Sequence, residues 1–358
     1  MKALILALMK ELKRKRKNKI LLFLLFLLAG KIGYTQSQDT GYSLLFYNVE
    51  NLFDIENTPG KADDEFTPDG ARHWRYSQLN QKLLNLSKVI LSASGWSPPG
   101  MIALSEIENR KVLELLITQT PLNNLPYNII HKESPDNRGI DVAFLYNEDV
   151  FYPLEYKHYP IKNEQDSILA TREILYVSGI LSDTDTLHIF INHWPSRYSG
   201  FLETRKKRVL AALTLRRELD SLNNRYKNPK IVITGDFNDQ PFDESIRFHL
   251  NAQPVSAKIQ PDGLYNLAAG WGNNKSGTSK YRSQWFIFDQ IIVSGALITA
   301  NSGLFTKPEY ASVVNLPFLI EKDERYGGFK PKRTFSGFKY KGGFSDHLPV
   351  IIKFSVND

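Results

Sequence analysis

Polar residues stand at or just beyond a series of apolar runs in this chain. Asn48 closes SLLFYN with Glu50 two residues on, Glu106 follows MIALS, His193 follows LHIFIN, and Asp236 and Asn238 follow IVITG. Asp289 sits inside WFIFDQIIV, and Asp346 and His347 precede LPVII. Carboxylates and amides are the oxygen donors that hard divalent cations prefer. Imidazole is the side chain that exchanges a proton near neutral pH. If each run is a buried strand, its polar end residue can reach one rim of a sheet, where together they would hold a cation and activate a water for attack on phosphorus.

Each residue also has a plainer structural reading. Asp236 and Asn238 form an Asx-rich turn of the kind that follows many strands, and Gly235 is expected to allow the bend that presents them. Glu106 would serve equally as a cap for the segment starting at Glu108, and Asn48 as the closure of a turn. Asp346 beside His347 is a hydrogen-bonding pair or a ligand and a base supplied by one loop. Such a base needs a carboxylate on its other nitrogen, and Asp289 is the candidate. His193 precedes Trp194-Pro195-Ser196-Arg197, so that Arg197, like Arg138 before the 141–146 strand, reads as a clamp for a phosphate oxygen. The bland reading of His193 is a satisfied core histidine.

The positioning elements follow from periodicity. Strands are expected over 43–48, 101–105, 141–146, 174–181, 187–192, 230–234, 286–293 and 349–356. Helices are expected over 77–94, with Leu79, Leu83, Leu86 and Ile90 on one face, and over 202–222, with Val209, Leu213, Leu215 and Leu219 on one face. The long segments 55–76 and 306–343 read as functional loops. Many strands follow one another without a helix between, which argues against a doubly wound parallel sheet and for two packed sheets with helices outside.

Length and 42% apolar content allow a sizeable core. The first 36 residues hold nine of the 45 basic and one of the 38 acidic residues, which leaves the remainder near neutral. The pI of 9.2 therefore licenses no global nucleic-acid-binding surface. A basic stretch, Lys13 to Lys19, then an apolar run, Ile20 to Ala29, reads as a secretory leader, residues 1–36, ahead of one domain, 37–358. An uncleaved anchor is the other reading, since no Ala-x-Ala site follows, and Met9 would give a more usual start. The expectation is export to the periplasm or beyond, with membrane contact through the leader only. Cysteine is absent, so any metal must be held by oxygen and nitrogen.

Taken as a set, GDFND, FDQI and SDH, in that order and with the opening YNVENLFD and NHWPSR segments, resemble the endonuclease/exonuclease/phosphatase superfamily. The likeness runs from about Ser43 to Val356 and is nearest an exported bacterial branch. It implies a four-layer α/β sandwich of two mixed, mainly antiparallel sheets packed face to face with helices outside. It implies that Glu106 and Asp346 hold Mg²⁺, with Mn²⁺ or Ca²⁺ as substitutes. Asp236 would be a further oxygen donor, and Asn48 the first-strand amide beside the metal. His193 would contact phosphate, Asp236 and Asn238 would position the nucleophile, and Asp289 would orient His347. Of the two candidate bases in the family, the Asp289–His347 pair is preferred, because imidazole has the better-matched ordinary pKa. The implied activity is hydrolysis of phosphate esters, foremost a nuclease-type phosphodiesterase with nucleic acid as candidate substrate. A phospholipid or sphingomyelin phosphodiesterase and a sugar-phosphate phosphatase follow. A non-catalytic binding protein on the same scaffold is the alternative of another class. No protein partner is implied.

Overall fold

The computed structural model describes residues 42–181, 185–198, 200–255, 258–272 and 276–357. The expected leader lies outside these residues. Among the described residues no helix is long and apolar enough to cross a membrane.

Two sheets form the body. The first is built from β1 (Ser43–Leu52), β2 (Met101–Ile107), β3 (Tyr127–His131), β4 (Asp141–Asn147), and the later β12 (Ala311–Val313) and β13 (Val350–Lys353), in the order β12-β13-β1-β2-β4-β3. The second holds β5 (Phe151–Tyr159), β6 (Ile174–Leu181), β7 (Asp185–His193), β8 (Lys230–Asp236), β9 (Ala252–Pro254), β10 (Leu264–Asn266) and β11 (Asp289–Ser294). Its order is β5-β6-β7-β8-β11-β10-β9. Only β1 with β2, β7 with β8 and β9 with β10 pair in parallel; the other named pairs are antiparallel.

The period-2 alternation of β1 sorts its side chains between two cores. Leu44 and Phe46, with Phe144 of β4, face the second sheet, where they meet Val177, Ile189, Val232 and Ile291. Leu45, Tyr47 and Val49 face outward onto helix α1 (Tyr76–Ser92), through Leu79, Leu83, Leu86 and Ile90, and onto α2 (Arg110–Thr118), through Val112 and Leu116. The second sheet is covered on its outer face by α3 (Phe201–Arg225). The result is the expected four-layer sandwich. Each fully buried Leu or Phe contributes about 1.5–3 kcal/mol by leaving water.

Three expectations are corrected. Gly235 is not a bend but a strand residue, and a Cβ there would lie 2.2 Å from the Asn192 carbonyl oxygen, so glycine is what lets β7 and β8 close. The expected 286–293 strand breaks, and Asp289 opens β11 instead of sitting mid-strand. On α3 the buried face runs through Thr204, Arg208, Ala211, Leu215 and Leu219, while Leu213 is exposed. The phase is set by Arg208, whose guanidinium is fully buried against Asp239 at 2.8 Å and so takes a core position that apolar periodicity assigns elsewhere.

Candidate active site

Parallel pairing within β1–β2 and within β7–β8 brings the C-terminal ends of these strands to a common rim, and β11 begins there because it runs against β8. Register fixes the neighbours: His193 and Asp289 both lie opposite Asp236. The Asn48 amide donates across the gap between sheets to Asp236 Oδ2 at 3.0 Å, and within its own sheet to Glu106 Oε1 at 3.4 Å. Asp236 Oδ1 accepts the Asn238 N–H at 2.9 Å, and the Asn238 amide donates to the Trp194 carbonyl. His193 Nε2 lies 3.7 Å and His347 Nε2 3.9 Å from the same Asp236 Oδ2. Behind His347, Asp289 Oδ2 meets Nδ1 at 2.7 Å.

The rim is built from irregular backbone. Glu106 has φ 63°, Glu50 52°, Asn51 55° and Asn238 51°, values that side chains other than Asn rarely take. The register of β1 against β2 slips between Asn48 and Leu52, and that of β2 against β4 slips between Ser105 and Ile107. These bulges turn Glu106 off the alternation of its strand and aim it at the rim, where Oε2 accepts the Asn51 N–H at 2.9 Å. Strained positions of this kind persist where surrounding structure holds them.

Burial alone would push the His347 imidazole down. Asp289, and then Asp236, outweigh it and hold the ring well above the ordinary histidine range. His193 goes the other way: burial lowers it, and Arg172, Arg138 and His347 lower it further. The buried Asp236 carboxyl is raised to about 6 by desolvation, with His347 opposing and Asp289 and Glu106 reinforcing the rise. His193 Nδ1 and Asp289 Oδ1 are buried without a protein partner.

Asn48, Glu106, His193, Asp236, Asn238, Asp289 and His347 thus meet in one place. Asp346 stands slightly apart, because its Oδ2 is held by Arg333 at 3.0 Å, and the same guanidinium reaches Glu50 Oε1 at 2.9 Å. Arg333 comes from the long segment after β12. Beside it, the buried Lys82 of α1 donates to Thr334 Oγ1 and the Phe344 carbonyl, and burial lowers its pKa to about 8. Glu50 stands beyond the same apolar run as Asn48, but sequence reasoning missed its partners Arg333 and Lys82; the one local signal was a lysine on the apolar face of α1.

The two expected clamps part company. Arg197 is spent on Asp239 at 2.8 Å, Asp243 at 2.5 Å and the Asn238 carbonyl, so it secures the GDFND loop instead of facing a ligand. Arg138 is half exposed and borders a cleft of about 450 Å³ with Arg172, Ser196, Tyr198, Thr204 and Lys207. The cleft adjoins the end of β7, since Arg172 donates to the His193 and Trp194 carbonyls and to Asp136.

Hard cations need oxygen donors that water can also reach. Glu106 and Asp346, with side chains 15% and 36% exposed, meet that condition, whereas Asp289 is fully buried and already bound to His347. Ligand atoms of Asp236, Asp289 and His347 also lie within 4.8 Å of one another.

The sequence profile of the Endonuclease/Exonuclease/phosphatase family matches residues 43–356. No curated protein matches the sequence. Among solved structures, a humanized D. rerio TDP2 aligns over 87% of this chain and 98% of its own with 14% identity and a TM-score of 0.53. A Bacteroides thetaiotaomicron mannosyl-6-phosphatase aligns over 87% and 99% with 15% identity and a TM-score of 0.52. The human nocturnin catalytic domain with bound sulfate aligns over 88% and 94% with 14% identity and a TM-score of 0.51. At these identities the likeness concerns the fold.

Proposed function

We infer the reaction from one premise: this chain belongs to the endonuclease/exonuclease/phosphatase family, whose members are divalent-metal-dependent phosphoesterases. The reading supported best is a Mg²⁺-dependent hydrolase of phosphate esters, a nuclease-type phosphodiesterase in particular. It is carried by a single observation: two histidines flank one buried carboxylate, Asp236, and only one of them has a carboxylate behind it.

Glu106 and Asp346 would hold the ion, which when bound supplies positive charge that offsets the phosphate oxygens. The remaining steps fall to side chains. A water beside Asp236 attacks phosphorus and gives its proton to the Asp236 carboxylate. An O–P bond forms, the opposite P–O bond breaks, and the leaving oxygen takes a proton from solvent. His347, kept as imidazolium by Asp289, faces the growing negative charge and donates from Nε2. The neutral His193 contacts a second phosphate oxygen. This reading departs from the expectation that His347 is the base, because Asp289 raises the imidazole well above its ordinary pKa.

The diester preference rests on the cleft beside His193, which gives a second substituent on phosphorus a place between Arg138, Lys207 and the exposed Tyr198. Purified protein, with EDTA or Mg²⁺, is assayed against plasmid DNA, RNA, sphingomyelin, inositol and sugar phosphates, and a generic aryl diester. Mg²⁺-restored cleavage of diesters is expected. Cleavage of monoesters alone would retire the diesterase assignment, and no metal-restored hydrolysis of any of them would end the reading. Export is also proposed, from the leader sequence; N-terminal sequencing of the mature product that returned Leu21 to Leu28 would refute cleavage.

A further inference from the structure

A second group of histidine and carboxylates lies away from the catalytic rim, at the neck of the β3–β4 hairpin. His131 ends β3, Asp141 opens β4, and Glu133 lies two residues into the loop between them. Ligand atoms of the three lie within 4.8 Å of one another. His131 Nε2 and Asp141 Oδ2 are 3.2 Å apart, and both side chains are almost wholly buried, while Glu133 is exposed. Bonds of 2.0–2.1 Å to zinc in a tetrahedral site place two ligand atoms about 3.3 Å apart, so the pair has the spacing of one edge of such a site.

Two further observations favour a ligand over a simple hydrogen bond. The other oxygen of Asp141 is fixed by the Ser134 N–H at 2.8 Å, the kind of support that orients a metal-bound carboxylate. Nearby on β5, His158 has a side chain only 8% exposed and a buried Nε2 with no hydrogen-bond partner, a nitrogen donor left open for a ligand. It lies close enough to His131 and Asp141 to interact with both electrostatically. Glu173, 3.9 Å from His158 Nδ1, is already paired with Lys132 at 2.8 Å.

We propose that His131, Glu133 and Asp141 bind a borderline divalent transition metal of the zinc class, with His158 as the neighbouring nitrogen donor. Mixed nitrogen and oxygen donors select such an ion over Mg²⁺. Two carboxylates with neutral imidazoles balance its charge. The ion would close the neck of the loop 132–140, which carries Asp136, Asn137 and Arg138 to the cleft. The consequence for the cleft rests on the proposed function; the site itself does not.

The test therefore reads metal and not turnover. EDTA-treated full-length protein is dialysed against Co²⁺ in excess Mg²⁺, and bound cobalt and its visible d–d spectrum are measured. One cobalt per chain with the intense bands of tetrahedral nitrogen and oxygen coordination is expected in the wild type and in His347→Ala. His131→Gln and Asp141→Asn should lose it. Glu133→Gln, at an exposed position and so safe for folding, should weaken it at least about tenfold. No retained cobalt, a weak octahedral spectrum, retention in His131→Gln and Glu133→Gln, or loss in His347→Ala would each overturn the proposal.

Discussion

The two walls of the catalytic rim carry the same side chain at nearly the same distance from Asp236, 3.7 Å for His193 and 3.9 Å for His347, yet their charge states are driven apart. Behind His347 stands a buried carboxylate; behind His193 stand Arg172, Arg138 and an unpartnered Nδ1. Burial lowers both rings, so it cannot separate them. The second neighbour of each ring does. On the proposed reading, a phosphate would meet a charged donor on one side and a neutral one on the other, with the proton acceptor between.

The sharpest way to break this contrast is His347→Ala, which should reduce kcat by about 10³–10⁴-fold while far-UV circular dichroism stays native. Full activity would show that the charged wall is not catalytic. A third histidine extends the contrast to a ring with no close carboxylate. His188, bonded through Nδ1 to the Tyr176 hydroxyl at 2.9 Å, is lowered to about 4 by burial, with Glu155 opposing. The folded ring stays neutral while the unfolded one binds a proton near pH 6.5, so protonation favours the unfolded chain. Stability should fall as pH drops from about 6.5 to about 4, by up to about 3 kcal/mol. Urea titrations across that window should show the slope, and His188→Gln should flatten it.

Asp289→Asn should lower kcat about 10²-fold. It removes the charge that keeps His347 protonated, so the alkaline limb of the pH–rate profile should move to lower pH. An unmoved limb would reassign that limb to another group. On the opposite wall, Arg138→Ala should raise KM roughly tenfold with little change in kcat. In the same variant the His193 pKa, followed by NMR, should rise, because a neighbouring positive charge has gone.

Residues on strand ends were legible because β-periodicity is local. Alternation in SLLFYNVENL and the continuous runs of β2 and β8 locate Asn48, Glu106 and Asp236 without any knowledge of pairing. Elements with a weaker apolar signal were not legible: β5 alternates exposed Tyr152, Leu154 and Tyr156 on a sheet edge, and α2 is only nine residues long. Arg197 looked like a ligand because its acidic partners, Asp239 and Asp243, are more than forty positions away.

The order of buried strands, the exclusion of thiolate chemistry and the set of polar groups offered to one rim are determined by the sequence alone, since each depends on residue type and short-range spacing. Charge state and allegiance are not. They depend on which groups share a desolvated space, and those partners lie 58 positions apart for Asp289 and His347, 188 for Asn48 and Asp236, and 283 for Glu50 and Arg333. Only the packed sheets bring them close enough, in a medium of low enough dielectric, for one histidine to be held charged and its neighbour neutral.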